Sequence, residues 1–293
     1  MSAATVPRTL AQTAETGSRR EGRRRRFGNG LIVAGLAIIG AVVLFCVVYP
    51  LVSGYDPTAP ALSETAFAGP SRSHLLGTDN FGRDTLTRLA AGGRLDLAIA
   101  TSATLGTVIV GGVLGLLSGF HGGRFDTLLM RLVDVMLTLP YLVLVIAIVA
   151  ILGTGPVNIL YAVLIVGWVT YARLVRGEAM VARRLEYVEA ARVVGMGDGR
   201  IMLRHILPNV VTAAIVYSMA DVVLNILLAT TLSFLGLGVR PGEPEWGMMV
   251  NDARDFFLKD AWLMTYPGLA VMITGAGFGL LGDGLAQALR PKG

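Results

Sequence analysis

The chain has 293 residues, of which 54% are hydrophobic and only 15% charged. Soluble domains carry about a quarter charged residues, so this deficit excludes an ordinary soluble globular protein and points to a membrane-embedded one. The formal net charge of +5 rests on 23 Arg and two Lys, Lys259 and Lys292, against 20 acids. In a membrane protein such an excess belongs to cytoplasmic loops, which removes the nucleic-acid partner that a basic soluble chain would suggest. A single cysteine, Cys46, excludes a disulfide framework and a cysteine-based metal site.

A membrane span needs about 20 mostly apolar residues. Six such runs follow one another, at residues 31–51, 95–120, 127–152, 157–181, 208–237 and 262–281. The expected organisation is a basic cytoplasmic tail (1–30), a first span (31–51), an extracytoplasmic segment (52–94), a five-span core (95–285) and a cytoplasmic C-terminal tail (286–293). The basic stretch Arg19–Arg26 before the first run resembles a signal peptide, but the apolar stretch exceeds an h-region of about 7–15 residues. No small-x-small cleavage site precedes Tyr49-Pro50 either, so an uncleaved span is expected.

Charge sets the orientation. Seven Arg stand against Glu15 and Glu21 before Leu31, and seven Arg against four acids between Arg173 and His205. Between Val239 and Ala261 three basic residues meet five acids. With six spans both termini lie on one side, and Arg290 and Lys292 place that side in the cytoplasm. The 52–94 segment, rich in turn pairs such as Asp56-Pro57 and Gly69-Pro70, is then outside. Gly111, Gly115 and Gly119 in the second span, and Gly275 and Gly279 in the sixth, have the small-residue spacing that lets helices approach closely in lipid.

Patterns that suggest catalysis fail on placement. His74, His121 and His205 all lie in loops or at a span boundary, so none can activate a serine at membrane depth. Gly195-Met196-Gly197-Asp198 matches an aspartyl-protease GxGD pattern, but it falls in an Arg-rich loop, on the opposite side of the membrane from Asp56. Neither lysine sits in the Gly-Lys-Ser/Thr context of a phosphate-binding loop. No catalytic residue, metal or cofactor is expected in this chain.

The loop at 183–207 is the most informative stretch. Residues 185–194 form a helix that Gly195 ends, a glycine turn follows, and a second short helix starts where Asp198 can cap it. Pro208 suits the first turn of the next span. In form this is a docking element.

The run Glu189-Ala190-Ala191, then Gly195, then Leu207-Pro208 resembles the EAA loop of permease subunits in binding-protein-dependent ABC importers. Arg204–Asn209 (Arg-His-Ile-Leu-Pro-Asn) is similar to the dipeptide, oligopeptide and nickel branch; His205 stands where the generic pattern has Ile. His74–Asp79, Gly82-Arg83-Asp84 with Arg88, Leu232–Gly238, Trp246-Gly247 and Gly282–Leu285 resemble the same branch, so the likeness covers roughly residues 30 to 291. Ala229 departs from it, where a Glu is frequent, and so do Gly279, Ala286-Gln287 and Arg290 near the C-terminus.

The resemblance implies an all-α, six-span type I ABC importer transmembrane fold in a bacterial cell membrane. It implies a C-type permease that pairs with a homologous B-type permease, two ATPase subunits that bind the ATP, and an extracytoplasmic substrate-binding protein, all set in membrane lipid. Tyr187, Glu189, Ala190, Ala191, Arg192, Gly195, Asp198, His205 and Pro208 are then the coupling residues, with both alanines on the docking face. Asp221, an ionisable residue inside the fifth span, and Asn225 are expected along the translocation pathway. The cargo implied is a short peptide. With three scattered His and no Met/His cluster, a nickel path is the weaker alternative. A channel or a gradient-driven transporter would not need a docking loop.

Overall fold

The computed structural model describes residues 8–60 and 65–289, with only the backbone over 8–27. Residues 1–7 of the N-terminal tail, and Arg290 and Lys292 of the C-terminal one, lie outside the described residues. The described residues form ten α-helices in the order α1 (Arg8–Val52), α2 (Thr85–His121), α3 (Gly123–Thr138), α4 (Tyr141–Leu152), α5 (Pro156–Ala182), α6 (Glu186–Val193), α7 (Asp198–Ile201), α8 (Leu207–Phe234), α9 (Trp246–Ala253) and α10 (Trp262–Ala288).

Five stretches are long and apolar enough to cross a membrane: Gly28–Val52, Thr85–His121, Pro156–Ala182, Asp198–Phe234 and Trp262–Ala288. The expected third span is not continuous. Its halves, α3 and α4, meet at 91°. Pro140 has no N–H to donate and disfavours helical geometry in the residue before it, and Leu139 is accordingly extended at ψ 137°.

The second span starts ten residues before the expected boundary, because polarity hid its first turns. Asp84 caps α2, its Oδ2 accepting from Thr87 N at 2.8 Å and Thr87 Oγ1 at 2.7 Å. Thr85, Thr87 and Arg88 are buried. Arg88 is held by Asp79 at 3.3 Å and Asp252 at 3.3 Å, and donates to the carbonyls of Pro57 (3.0 Å) and Gly242 (3.1 Å). Arg83 joins the same network through Asp79 at 2.7 Å and Asp252 at 3.4 Å. Burial pushes the Asp252 carboxyl above the ordinary carboxylate range, although Arg88 and Arg83 pull it back.

Close helix approaches place the frame. A Cβ on Gly111, Gly115 or Gly119 would collide with α5 at Trp168–Ala172, Ala172 and Arg176–Ala179 respectively, so the glycine spacing of α2 is what lets these helices touch. In α10 the expected pair divides. A Cβ on Gly275 would press on Val223 of α8 at 3.3 Å and one on Gly279 meets nothing within 4 Å, whereas Gly277 and Gly284, not expected, abut Ile38 and Ile32 of α1.

The segment between the last two spans, expected as a plain loop, carries a buried helix. Glu245 caps α9, accepting from Gly247 N (2.9 Å) and Met248 N (2.6 Å). The fully buried Trp246 donates its indole N–H to Leu89 O at 2.9 Å. Gly92 and Gly93 of α2 leave the room that Glu245 and Trp246 occupy.

Candidate functional site

The loop after α5 is anchored before it projects. Arg183 closes the end of α2, its Nη1 donating to the carbonyls of Gly119 (3.1 Å) and Phe120 (3.0 Å), which satisfies acceptors a helix C-terminus leaves free. Val188 and Ala191 of α6 face inward and join a buried cluster with Leu116, Phe120, Ile201 and Ile206. The Arg192 guanidinium lies 5.8 Å from the centre of the Phe120 ring.

The helix then ends in a Schellman motif: Gly195 takes φ +81°, its N–H donates to Arg192 O at 2.9 Å, and Met196 N–H donates to Ala191 O at 3.0 Å. Only glycine adopts that left-handed geometry without strain. Two expectations change here. Asp198 does not cap α7; Gly197 holds the cap position and makes no side-chain bond. Nor is the second short helix separate, because α7 runs through a π-helical turn, Met202–Ile206, straight into α8. Leu207 N–H bonds back to Met202 O, five residues earlier. Pro208, next in the chain, has no N–H for the regular ladder, and such irregular turns occur beside such gaps.

The expected docking face is also reoriented. Successive helical residues point about 100° apart, so Ala190 and Ala191 cannot share a face. Ala190, Glu189, Arg192 and Asp198 are exposed, while Ala191 is buried against its own chain. The exposed tip is apolar: Val193 is 88% and Val194 84% exposed, with Leu203 at 63%. Tyr187 ties α6 to the start of α8, its hydroxyl accepting from Asn209 Nδ2 at 2.6 Å and donating to the His205 carbonyl at 3.4 Å. The Val193-Val194 pair and Asn209 were missed from sequence. The legible signal was an apolar dipeptide just before a glycine turn in an otherwise polar loop.

A second site lies deep in the helices. Asp221 is near the middle of α8 (Leu207–Phe234). Its Oδ2 accepts from the Tyr171 hydroxyl of α5 at 3.0 Å and from Asn225 Nδ2 at 3.2 Å, and Asn225 also donates to Thr104 Oγ1 of α2 at 2.9 Å. The two residues therefore join three helices. Asn225 is buried and Asp221 partly so, and both border a cavity of ≈ 400 Å³ that Tyr141, Thr170, Tyr217 and Leu224 also line. Sequence reading found Asp221 and Asn225 but not Tyr171, Thr104, Tyr141 or Tyr217, which come from other helices or other turns.

Residues 111–292 match the model of the binding-protein-dependent transport system inner membrane component family. The chain belongs to that family. Among its relatives, the dipeptide transport system permease protein DppC of Alkalihalophilus pseudofirmus is 41% identical over 275 residues, covering 93% of this chain and 90% of that protein. A di/tripeptide transport system permease protein DppC of Pseudomonas aeruginosa is 42% identical over 261 residues, 86% of this chain and 85% of that one. A glutathione transport system permease protein GsiD of Pectobacterium atrosepticum is 43% identical over 224 residues, 76% of this chain and 74% of that one.

The family match brings both sites of this permease, the loop and the Asp221 cavity, inside the region shared by the whole family. The buried network of Arg83 and Arg88 straddles that region's edge: both arginines and Asp79 precede residue 111, and their partners Asp252 and Gly242 follow it.

Proposed function

We propose that this permease forms one half of the translocation pathway for di- and oligopeptides and couples it to two separate ATPase subunits. A homologous B-type permease completes the pathway, and an extracytoplasmic binding protein delivers the peptide. ATP is bound by the partner subunits; this chain supplies no catalytic group or metal. The observation that carries the reading is the loop: an apolar tip held out from the spans on a side that is itself packed into the core, which is how a rigid lever receives force from a partner. Glu189, Ala190, Arg192, Val193, Val194 and the exposed Asp198 form the contact, Gly195 shapes the turn, and Ala191, Tyr187, His205 and Pro208 hold the loop on α8. The peptide assignment is supported by the relatives, whose names specify dipeptide, di/tripeptide and glutathione transport.

Reconstitution tests the reading. Proteoliposomes holding both permeases and the ATPases should take up a labelled dipeptide only when ATP and the loaded binding protein are supplied on opposite faces. Uptake that follows an ion gradient and ignores ATP would refute it.

Both termini and the 183–207 loop are cytoplasmic in this proposal, because the Arg excess lies there. In a Cys46→Ala background, a cysteine at the exposed Ser71 should react with an impermeant maleimide added to whole cells, and one at the exposed Gly199 should react only after lysis. The reverse pattern would invert the orientation.

A further inference from the structure

The Asp221 carboxylate is uncompensated. Its bonded partners are the phenol of Tyr171 and the amide of Asn225, both neutral. Thr104 of α2 is neutral too, and so are Tyr141 and Tyr217 on the cavity wall. The cation closest in sequence to Tyr171 on α5, Arg173, is engaged by Asp134 of α3 and its side chain is half-exposed. Among the described residues Asp221 makes no ion pair.

Position makes this costly. α8 has 28 residues and is about 42 Å long at 1.5 Å per residue, so a residue at its middle sits near the midplane of the bilayer. An ionisable group there faces a cavity or a partner and marks a pathway. The cavity of ≈ 400 Å³ has the size of a small-molecule site. Its charge is one-sided: the lining holds a carboxylate and no cation, the carbonyl oxygen of Asn225 and the hydroxyl oxygens can accept hydrogen bonds, and the aromatic faces of Tyr141 and Tyr217 attract cations. Tyr217 is fixed against Tyr171, the rings 5.2 Å apart and edge-on at 82°. The α3–α4 break brings Tyr141, the first residue of α4, to the cavity wall.

We infer that Asp221, with Asn225 and the tyrosines around it, is a transit site for a primary ammonium group, the free amino terminus of the peptide in passage. This rests on the peptide-import reading above. A site on a pathway has to attract its cargo and release it, and a single carboxylate already engaged by two neutral donors meets both needs.

The test uses the full complex, both permeases and the ATPases in nanodiscs, carrying Leu224→Cys with Cys46→Ala. Leu224 lines the cavity and is 54% exposed. Modification of that cysteine by N-ethylmaleimide is followed by mass spectrometry with Ala-Ala or N-acetyl-Ala-Ala present. Ala-Ala should slow the reaction several-fold and the acetylated peptide should not. Asp221→Asn should abolish the difference, and Asp221→Glu should restore part of it.

Equal protection by both peptides, protection by neither, or ammonium-selective protection that survives in Asp221→Asn would overturn the inference. In the last case Asp221 would be only a tie between α8 and α5. The import reading is tested separately by wild-type dipeptide uptake. Uptake without selective protection sinks this site alone, whereas absence of ATP-dependent uptake sinks the reading on which it rests.

Discussion

Val193→Asp combined with Val194→Asp should strip the ATPase subunits from the complex while the permease accumulates in the membrane at its normal level. Both side chains are almost fully exposed, so the change removes nothing from the chain's own core. At an interface a buried apolar anchor is worth about 2 kcal/mol or more, or roughly 30-fold in affinity for each of the two. An aspartate in its place adds an unpaired charge that the partner would have to desolvate. Affinity purification on the permease should therefore recover little ATPase, and peptide-stimulated hydrolysis should fall with it. Ala191→Trp is a different experiment. Ala191 is only 8% exposed and packs in one cluster with Phe120 and Ile201, so that variant should lower the amount of permease itself. Gly195→Leu is intermediate: a Cβ there meets nothing within 4 Å, and the cost inside the chain is the left-handed backbone alone, about 1–3 kcal/mol. If the double aspartate variant keeps its ATPases and its uptake, the loop tip is a solvated turn and the coupling proposal fails.

What the sequence discloses follows from which forces act locally. Apolar runs gave the spans because each span must satisfy the bilayer by itself, and Gly195 and Pro208 announced their turns because their backbones permit few alternatives. Pro140 lies inside the third run, but length and apolarity carry no trace of its ring, so hydropathy does not disclose the 91° break between α3 and α4. The start of α2 and the whole of α9 stayed hidden for another reason. Thr87, Arg88, Asp96 and Glu245 look like residues of a solvated loop and are buried; Thr87 and Glu245 are engaged in local caps, whereas Arg88 and Asp96 depend on partners far away in the chain, such as Trp246 N–H on Asp96 at 3.0 Å. The docking motif was legible as a motif, but which of its alanines points outward depends on where the helix rests. Asp221 could be found as a misplaced charge; that Tyr171 and Thr104 attend it could not, because no periodicity within α8 carries that information.

Arg88→Met should cost the fold about 3–5 kcal/mol, the loss expected when one partner of a buried ion network is removed and the rest stays behind. Arg88 is 1% exposed. Without it the Pro57 carbonyl loses its donor, and Arg83 is the one cation left to Asp79 and Asp252 among the described residues. Arg88→Lys keeps the charge, but a single ammonium cannot reach Asp79, Asp252 and two carbonyls at once as the guanidinium fork does, so it should recover only part of the loss. Adding Asp252→Asn to Arg88→Met should give back more, since it removes a stranded carboxylate; contacting residues of this kind couple by about 0.5–3 kcal/mol. Acid should help in the same way. A carboxyl raised in the folded state, as burial raises that of Asp252, adds stability below its unfolded value and loses it as pH rises through the folded one. Arg88 itself holds that carboxyl down, so its removal raises the folded value further, and the Arg88→Met defect should shrink as pH falls toward the ordinary carboxylate range. Asp255→Asn is the control, because its pair with Arg254 is exposed on both sides and pairs of that kind contribute about 0–1 kcal/mol. Thermal unfolding of the purified complex reads these four variants and the Asp252→Asn single variant that completes the comparison. Strict additivity of Arg88→Met and Asp252→Asn, with no dependence on pH, would show that the two residues do not act as a pair.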